Sequence, residues 1–194
     1  MNMEKKFELT DNFIINAFGV KLFQIKCTKS FKYAKEGDLG GYVEKDENLD
    51  QESDAWVYGN ARVYGDARVY GDAQVYGNAR VSGDAWVSGD AQVYGNARVY
   101  GDARVYGDAR VYGNADIEND NNHCGFDCFG SCNRHTHAYL TKDNKVEITC
   151  GCFRGSIEEF EKEVEKTHSG KIYEKQYKAI INVIKIKFGL TDLI

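Results

Sequence analysis

The chain has 194 residues, 25 of them basic and 30 acidic, for a formal net charge of -5. That balance excludes a general nucleic-acid binder, which needs a basic surface to neutralise phosphates. No apolar run approaches the length of a membrane span, and the opening MNMEKKFELT has no signal-peptide core, so the expected location is the cytoplasm.

Residues 1–36 read as a small N-terminal β cap. Between residues 7 and 33 apolar and polar residues alternate around turns such as Ala17-Phe18-Gly19, the period of half-buried strands. Residues 37–119 read as a solenoid. Gly37 to Asp50 opens it as an irregular first coil, where Val43 and Leu49 already fall on hexad spacing, and a two-residue slip before Val57 marks the start of regularity. A first coil must be shielded from pairing with other chains, and the cap is the natural shield.

From Asp54 to Asn119 run eleven hexapeptides, DAWVYG, NARVYG, DARVYG and so on, with Ala and then Val or Ile at fixed places. Every third block opens with Asn (Asn60, Asn78, Asn96, Asn114) and the other blocks with Asp. A superperiod of eighteen requires a coil of three hexads whose equivalent residues stack, so the expected fold is mainly β, a left-handed parallel β-helix. Residues two apart on a strand point the same way, which sends Ala61 and Val63 inward and Arg62 outward. The glycines from Gly59 to Gly113 supply the unusual backbone angles of the corners, and proline is absent.

The outward residues form three columns. Column one stacks Asp54, Asp72, Asp90 and Asp108 with Trp56, Gln74, Gln92 and Arg110, and is acidic at its middle. Column two carries Arg62, Arg80 and Arg98 beside the asparagines and is basic. Column three alternates Asp66 with Arg68, Asp84 with Trp86 and Asp102 with Arg104, and is close to neutral. Like charges stacked about 4.8 Å apart repel, so the arginine ladder needs an anionic neighbour. The acidic column of another copy, centred on Asp72 and Asp90, would serve, which points to a closed homotrimer. A solvated ladder is the plain alternative, and a phosphate or an acidic partner protein is the other. Trp56, Trp86 and the corner tyrosines Tyr58, Tyr76, Tyr94 and Tyr112 are the candidate exposed aromatics, although stacked tyrosines also stabilise a solenoid without any ligand.

Residues 120–194 read as a cysteine-bearing loop followed by a ββαα module. The loop is Asp120 to Arg134, and the strands are His135 to Thr141 and Lys145 to Phe153. Ser156 with Glu159 forms a capping-box pattern at the first helix, and Gly170 ends it. The second helix, about Tyr173 to Phe188, carries Tyr177, Ile180, Ile181, Ile184 and Ile186 on its apolar side. Five of the six cysteines lie in this region, interspersed with His123, His135 and His137. In a cytoplasmic chain they raise the question of zinc, with Cys128, Cys132, His137 and Cys150 as possible ligands. The Cys-x3-Cys-x3-Cys and Cys-x-Cys spacings do not match paired zinc knuckles, and buried or free thiols are the plain alternative. No other cofactor is expected. His168, at the helix exit, reads as electrostatic decoration.

The segments FELT, LFQIKCTKSF and EGDLGGYVEKDENLDQESDAWVYGNARVYG, together with CGCFRGSIEEFEKEVEKTH and YKAIINVIKIKFG near the end, resemble a group of phage and prophage hexapeptide-repeat proteins. That resemblance implies a small accessory protein working in the bacterial cytoplasm, which counteracts a host defence system by binding and blocking a host protein. That it is non-catalytic is expected from the residues, which show no Gly-rich phosphate loop, nucleophile elbow or paired metal-catalytic carboxylates. A trimeric sponge for a small anionic nucleotide is the alternative, with Arg62, Arg80 and Arg98 as phosphate donors. The coil also resembles the hexapeptide-repeat acyltransferases, which imply a trimer with a histidine base near an extruded loop. Here no histidine precedes His123, and no loop interrupts the eleven blocks.

Overall fold

A computed structural model describes residues 5–190. They fall into two compact units divided between Asn119 and Asp120. Residues 1–4 of the expected cap and 191–194 of the expected module lie outside the described residues.

In the first unit, β1 (Phe7–Ile15) and β2 (Lys21–Cys27) form an antiparallel hairpin. Its turn is held by the Asn16 side chain, which accepts from the backbone N–H groups of Phe18 and Val20. β3 (Leu39–Val43) pairs with β2 on one side and with the solenoid on the other, so the cap continues a solenoid sheet. Eleven two-residue strands follow: β4 (Trp56–Val57), β5 (Arg62–Val63), β6 (Arg68–Val69), β7 (Gln74–Val75), β8 (Arg80–Val81), β9 (Trp86–Val87), β10 (Gln92–Val93), β11 (Arg98–Val99), β12 (Arg104–Val105), β13 (Arg110–Val111) and β14 (Asp116–Ile117). They stack in parallel as three sheets, β4-β7-β10-β13, β5-β8-β11-β14 and β6-β9-β12, which are columns one, two and three. The chain is therefore a β-solenoid of three hexads per coil. Val43 pairs with Val63 and Leu49 with Val69, twenty residues apart instead of eighteen, which is the expected two-residue slip.

Inside the regular coils every Ala and Val, and Ile117, is at most 2% exposed. The corner glycines hold φ between 64° and 71°. They are needed twice over, because a Cβ on Gly83 would also meet the backbone N of Gly101, one coil on, at 2.9 Å. The first coil makes backbone rungs to Ala61, Val63 and Val69, but opposite Gly65 and Ala67 the side chain of Asn48 takes the place of the backbone. Its buried amide donates to the carbonyls of Gly65 and Ala67 (3.0 and 2.9 Å), while its oxygen accepts from the N–H groups of Glu44 and Lys45. Lys6 does similar work at the foot of column one, donating to the carbonyls of Ser53 and Ala55 (2.6 and 2.8 Å). Burial pushes its pKa down to about 8, against the opposing pull of Asp50 and Asp54.

Trp56, expected among the exposed aromatics, is instead buried. Phe7 and Phe31 of the cap pack edge-on against its ring at 6.4 and 5.3 Å.

The second unit is an antiparallel sheet, β15 (His123–Phe129), β16 (Arg134–Leu140), β17 (Val146–Cys150) and β18 (Phe153–Gly155), with two helices, α1 (Ile157–His168) and α2 (Ile172–Lys187). Two strands more than the expected ββαα order are present, and the supposed loop of residues 120–134 contains β15. Ser156 caps α1 as expected: its Oγ accepts from the N–H of Glu159 at 3.2 Å, and the Glu159 carboxylate accepts from the N–H of Ser156 at 2.7 Å. Ile148, Phe160, Val164, Ile180, Ile181 and Ile184 form the core between sheet and helices. Ile186, expected on that side, is 59% exposed, because α2 carries a second apolar stripe with Ile172 and Val183. No helix among the described residues is long and apolar enough to cross a membrane.

Candidate functional site

Column two places Arg62, Arg80 and Arg98 in register on β5, β8 and β11. Asp116, next in the stack, lies 3.6 Å from Arg98, and the asparagine side chains beside the ladder link Asn60 to Asn78 and Asn78 to Asn96 at 3.4 Å. Among the described residues Arg62 and Arg80 have no ion pair. The ladder is thus compensated at its upper end only.

In column one, Asp72 accepts an ion pair from Lys32 of the cap at 2.8 Å, whereas Asp90 stands exposed. The tyrosine corner beside it is a continuous stack: Tyr58 on Tyr76, Tyr76 on Tyr94 and Tyr94 on Tyr112, with centroids 5.0, 4.7 and 4.7 Å apart and rings nearly parallel. The phenols of Tyr58 and Tyr76 donate to Gln74 and Gln92 (2.9 and 3.4 Å). Burial in the stack pushes Tyr76 up to about 12. With ring faces covered by each other, these tyrosines act in the solenoid itself.

Column three differs. Trp86 lies in register between Arg68 and Arg104, with the Arg104 guanidinium 5.6 Å from its ring and Tyr70 edge-on at 6.0 Å. It is 41% exposed and opens on a groove of about 650 Å³, lined also by Glu47, Asp50 and Glu52 of the first coil. Sequence columns alone make this face neutral. The carboxylates come from the irregular coil, which the repeat register does not reach.

The suggested zinc ligands are not brought together. Cys128 and Cys132 are exposed near the end of the β15–β16 hairpin, while Cys150 is buried on the helix side of the sheet, accepting from Thr136 Oγ1 at 3.3 Å and lying 3.8 Å from the Tyr177 hydroxyl. His137 is on the opposite face, where its Nε2 lies 2.9 Å from His123 Nδ1. Among the described residues no three His, Cys, Asp or Glu side chains already converge as a metal centre. Burial lowers the pKa of His123, and Asp120, 3.4 Å away, opposes that shift. His168 packs its ring on Tyr177 and Tyr173.

The sequence reading named His137 but not the grouping around it. A signal was present: His135, His137 and Tyr139 alternate on one strand, and His123, Gly125 and Asp127 on its neighbour.

The regular coils match a family model described as YdcK Beta solenoid repeat over residues 55–71, 73–89, 91–104 and 103–116. All of these segments lie inside the hexapeptide region, so the chain is similar to β-solenoid repeat proteins there. A comparison with curated proteins gives no match.

Proposed function

We propose that the protein is a non-catalytic binding protein that uses its solenoid faces as flat docking surfaces, first for copies of itself and then for a host protein. The observation that carries this reading is the arginine ladder. Arg62 and Arg80 stand on neighbouring rungs with no ion pair among the described residues, while Arg98 already has Asp116. A rigid sheet cannot spread such charges apart, so an external anionic surface is stabilising there. Asp90 and its column on another copy fit that need, and rotation of one face onto the next closes into a trimer.

Trp86, flanked by arginines and facing Glu47, Asp50 and Glu52, is the surface we assign to the host partner. Exposed tryptophan and arginine are the residue types that dominate protein interfaces. The phage or prophage setting, action against a bacterial defence system and residence in the bacterial cytoplasm rest on the resemblance of the GDLGGY and CGCF segments. A nucleotide sponge fits less well: four carboxylates, those of Asp46, Glu47, Asp50 and Glu52, line the aromatic groove, and the tyrosine faces are taken up by one another. Acyl transfer would need a base beside the coil, and the chain has no histidine before residue 123.

Native mass spectrometry of protein purified from bacterial cells, wild type against Arg62→Ala/Arg80→Ala, tests the reading. A wild-type trimer and a monomeric variant make the arginines assembly residues. Trimers in both, with a host protein lost only from the variant, move them to the partner interface. A monomeric wild type sinks the proposal of complementary columns, and a trimer carrying the mass of a nucleotide replaces the docking reading with the sponge.

A further inference from the structure

The sheet face of β15 and β16 turned away from the helices gathers three imidazoles. Gly125 faces His137 across the ladder and His123 faces Tyr139, so His123, Gly125 and Asp127 share one face with His135 and His137. The ring centroids are 5.2 Å apart for His123 and His137 and 5.6 Å for His135 and His137. His123 is 8% exposed and His137 1%, and the His135 side chain 9%.

The outer nitrogens of two rings meet carboxylates. Asp127 lies 2.5 Å from His135 Nδ1, and Asp120 lies 3.4 Å from His123 Nε2. A carboxylate accepts only, so each of those nitrogens carries the proton and the opposite nitrogen of the ring presents a lone pair. His123 directs its lone pair at His137. His135 Nε2 is buried and has no hydrogen-bond partner among the described residues. Its ring lies over Gly125, where a Cβ would come within 2.7 Å of Cε1 and 3.0 Å of Nε2. Only glycine opposite His137 leaves room for that ring, and this seat brings the orphan nitrogen to the rung that His137 occupies.

We propose that His123, His135 and His137 form a binding site for a borderline divalent cation, Zn2+ foremost, with Asp120 and Asp127 orienting two of the ligands. Imidazoles whose far N–H is held by a carboxylate are the usual form of histidine at metal centres, and three nitrogens with a water suit Zn2+. The site is not finished as the rings stand, since no three donors yet converge on one point. Completing it takes two adjustments. The proton between His123 Nδ1 and His137 Nε2 moves to Nδ1 of His137, a change of tautomer that leaves the net charge unaltered. The pair then opens from 2.9 Å to roughly 3.3 Å, the separation that Zn–N bonds of about 2.0–2.1 Å impose on a tetrahedral ion, while His135 turns Nε2 towards it. The sulfurs have no part in this: Cys150 lies on the helix face, and Cys128 and Cys132 are exposed towards the hairpin end.

The test uses the full chain, stripped with EDTA, dialysed against Zn2+ or Co2+ and assayed for metal content and absorption. The expected result is one equivalent per chain and a Co2+ spectrum with nitrogen-type d–d bands and no thiolate charge-transfer band. Asp127→Asn should weaken binding about 10–100-fold, His135→Gln should weaken it more, and Cys128→Ser/Cys132→Ser should leave it unchanged. Circular dichroism and the melting transition confirm that each variant is folded. Thiolate charge transfer, wild-type affinity in folded His135→Gln, or failure of the wild type to retain metal would each overturn the proposal.

Discussion

In the regular coils every inward side chain is Ala, Val or Ile, and charge stands outside. In residues 120–190 one sheet face is apolar against the helices except for Thr136, while the other buries His123, His137, Tyr139 and Thr149. The contrast has a physical cause. Each coil must accept the coil above it, so whatever sits inside one rung sits beside its equivalent in the next, and a polar group there would need a partner at every level. A non-repeating sheet has no such constraint and can hold a single set of matched polar groups. Chemistry that depends on unlike side chains meeting is therefore expected in the second unit, and recognition by repeated outward groups in the first.

The largest effect that would break or sharpen this contrast is at a solenoid corner. Gly83→Ala adds a Cβ that meets the next coil's backbone at 2.9 Å at a residue with φ 68°, so strain and overlap should together remove about 2–4 kcal/mol in urea unfolding. Gly107→Ala, with φ 64° and nothing within 4 Å, should lose only the conformational part, about 1–2 kcal/mol. Equal losses would show that stacking of coils contributes nothing at the corners. Hydrogen exchange should show solenoid amides losing protection in Gly83→Ala while those of α1 and α2 keep theirs.

Next is Lys6, a buried charge at the cap end of the first unit. Its folded pKa, about 8, lies below the usual 10.5, so the unfolded chain binds more protons between those values and stability rises with pH across that window. The penalty for the buried ammonium is full below pH 8 and gone by 10.5. The slope is at most about 1.4 kcal/mol per pH unit. Lys6→Gln keeps an N–H donor for the carbonyls of Ser53 and Ala55 and should flatten the curve between pH 8 and 10. An unchanged slope would assign it to other groups.

In the second unit, Ser156→Ala removes the α1 cap and should lower stability by about 1 kcal/mol. Increased exchange should be confined to residues 120–190. Loss of protection in the coils as well would mean that the two units unfold as one, and the contrast between them would not extend to stability.

The same contrast explains what was legible in the sequence. A period of eighteen assigns an orientation to every residue from Asp54 to Asn119, and the three columns stack as read. Trp56 escaped because the repeat treats it as equivalent to Gln74, whereas Phe7 and Phe31 cover it from a part of the chain outside the period. The groove beside Trp86 escaped for a similar reason, its carboxylates belonging to the irregular coil. β15 was hidden because its one buried residue is the polar His123 and only Cys124 and Phe126, both half-buried, face the helices, so the hydrophobic contrast that marks a strand is weak. Ile186 was assigned to the wrong side of α2 because that helix has apolar residues on two faces.

The smallest expected change in stability belongs to the residues given the largest part in function. Arg62 and Arg80 sit in register on adjacent strands, where like charges directly opposite are unfavourable by roughly 0.2–1 kcal/mol. Under dilute conditions that favour the monomer, Arg62→Ala/Arg80→Ala should therefore leave the unfolding midpoint unchanged or raise it, and the gain should shrink as salt screens the repulsion. At concentrations where copies associate, the sign should reverse, because the variant loses the contact that stabilises the assembled wild type. A variant less stable than the wild type even when dilute would mean that the guanidiniums hold the solenoid together from within, and the arginine ladder would then stand with the tyrosine stack as architecture.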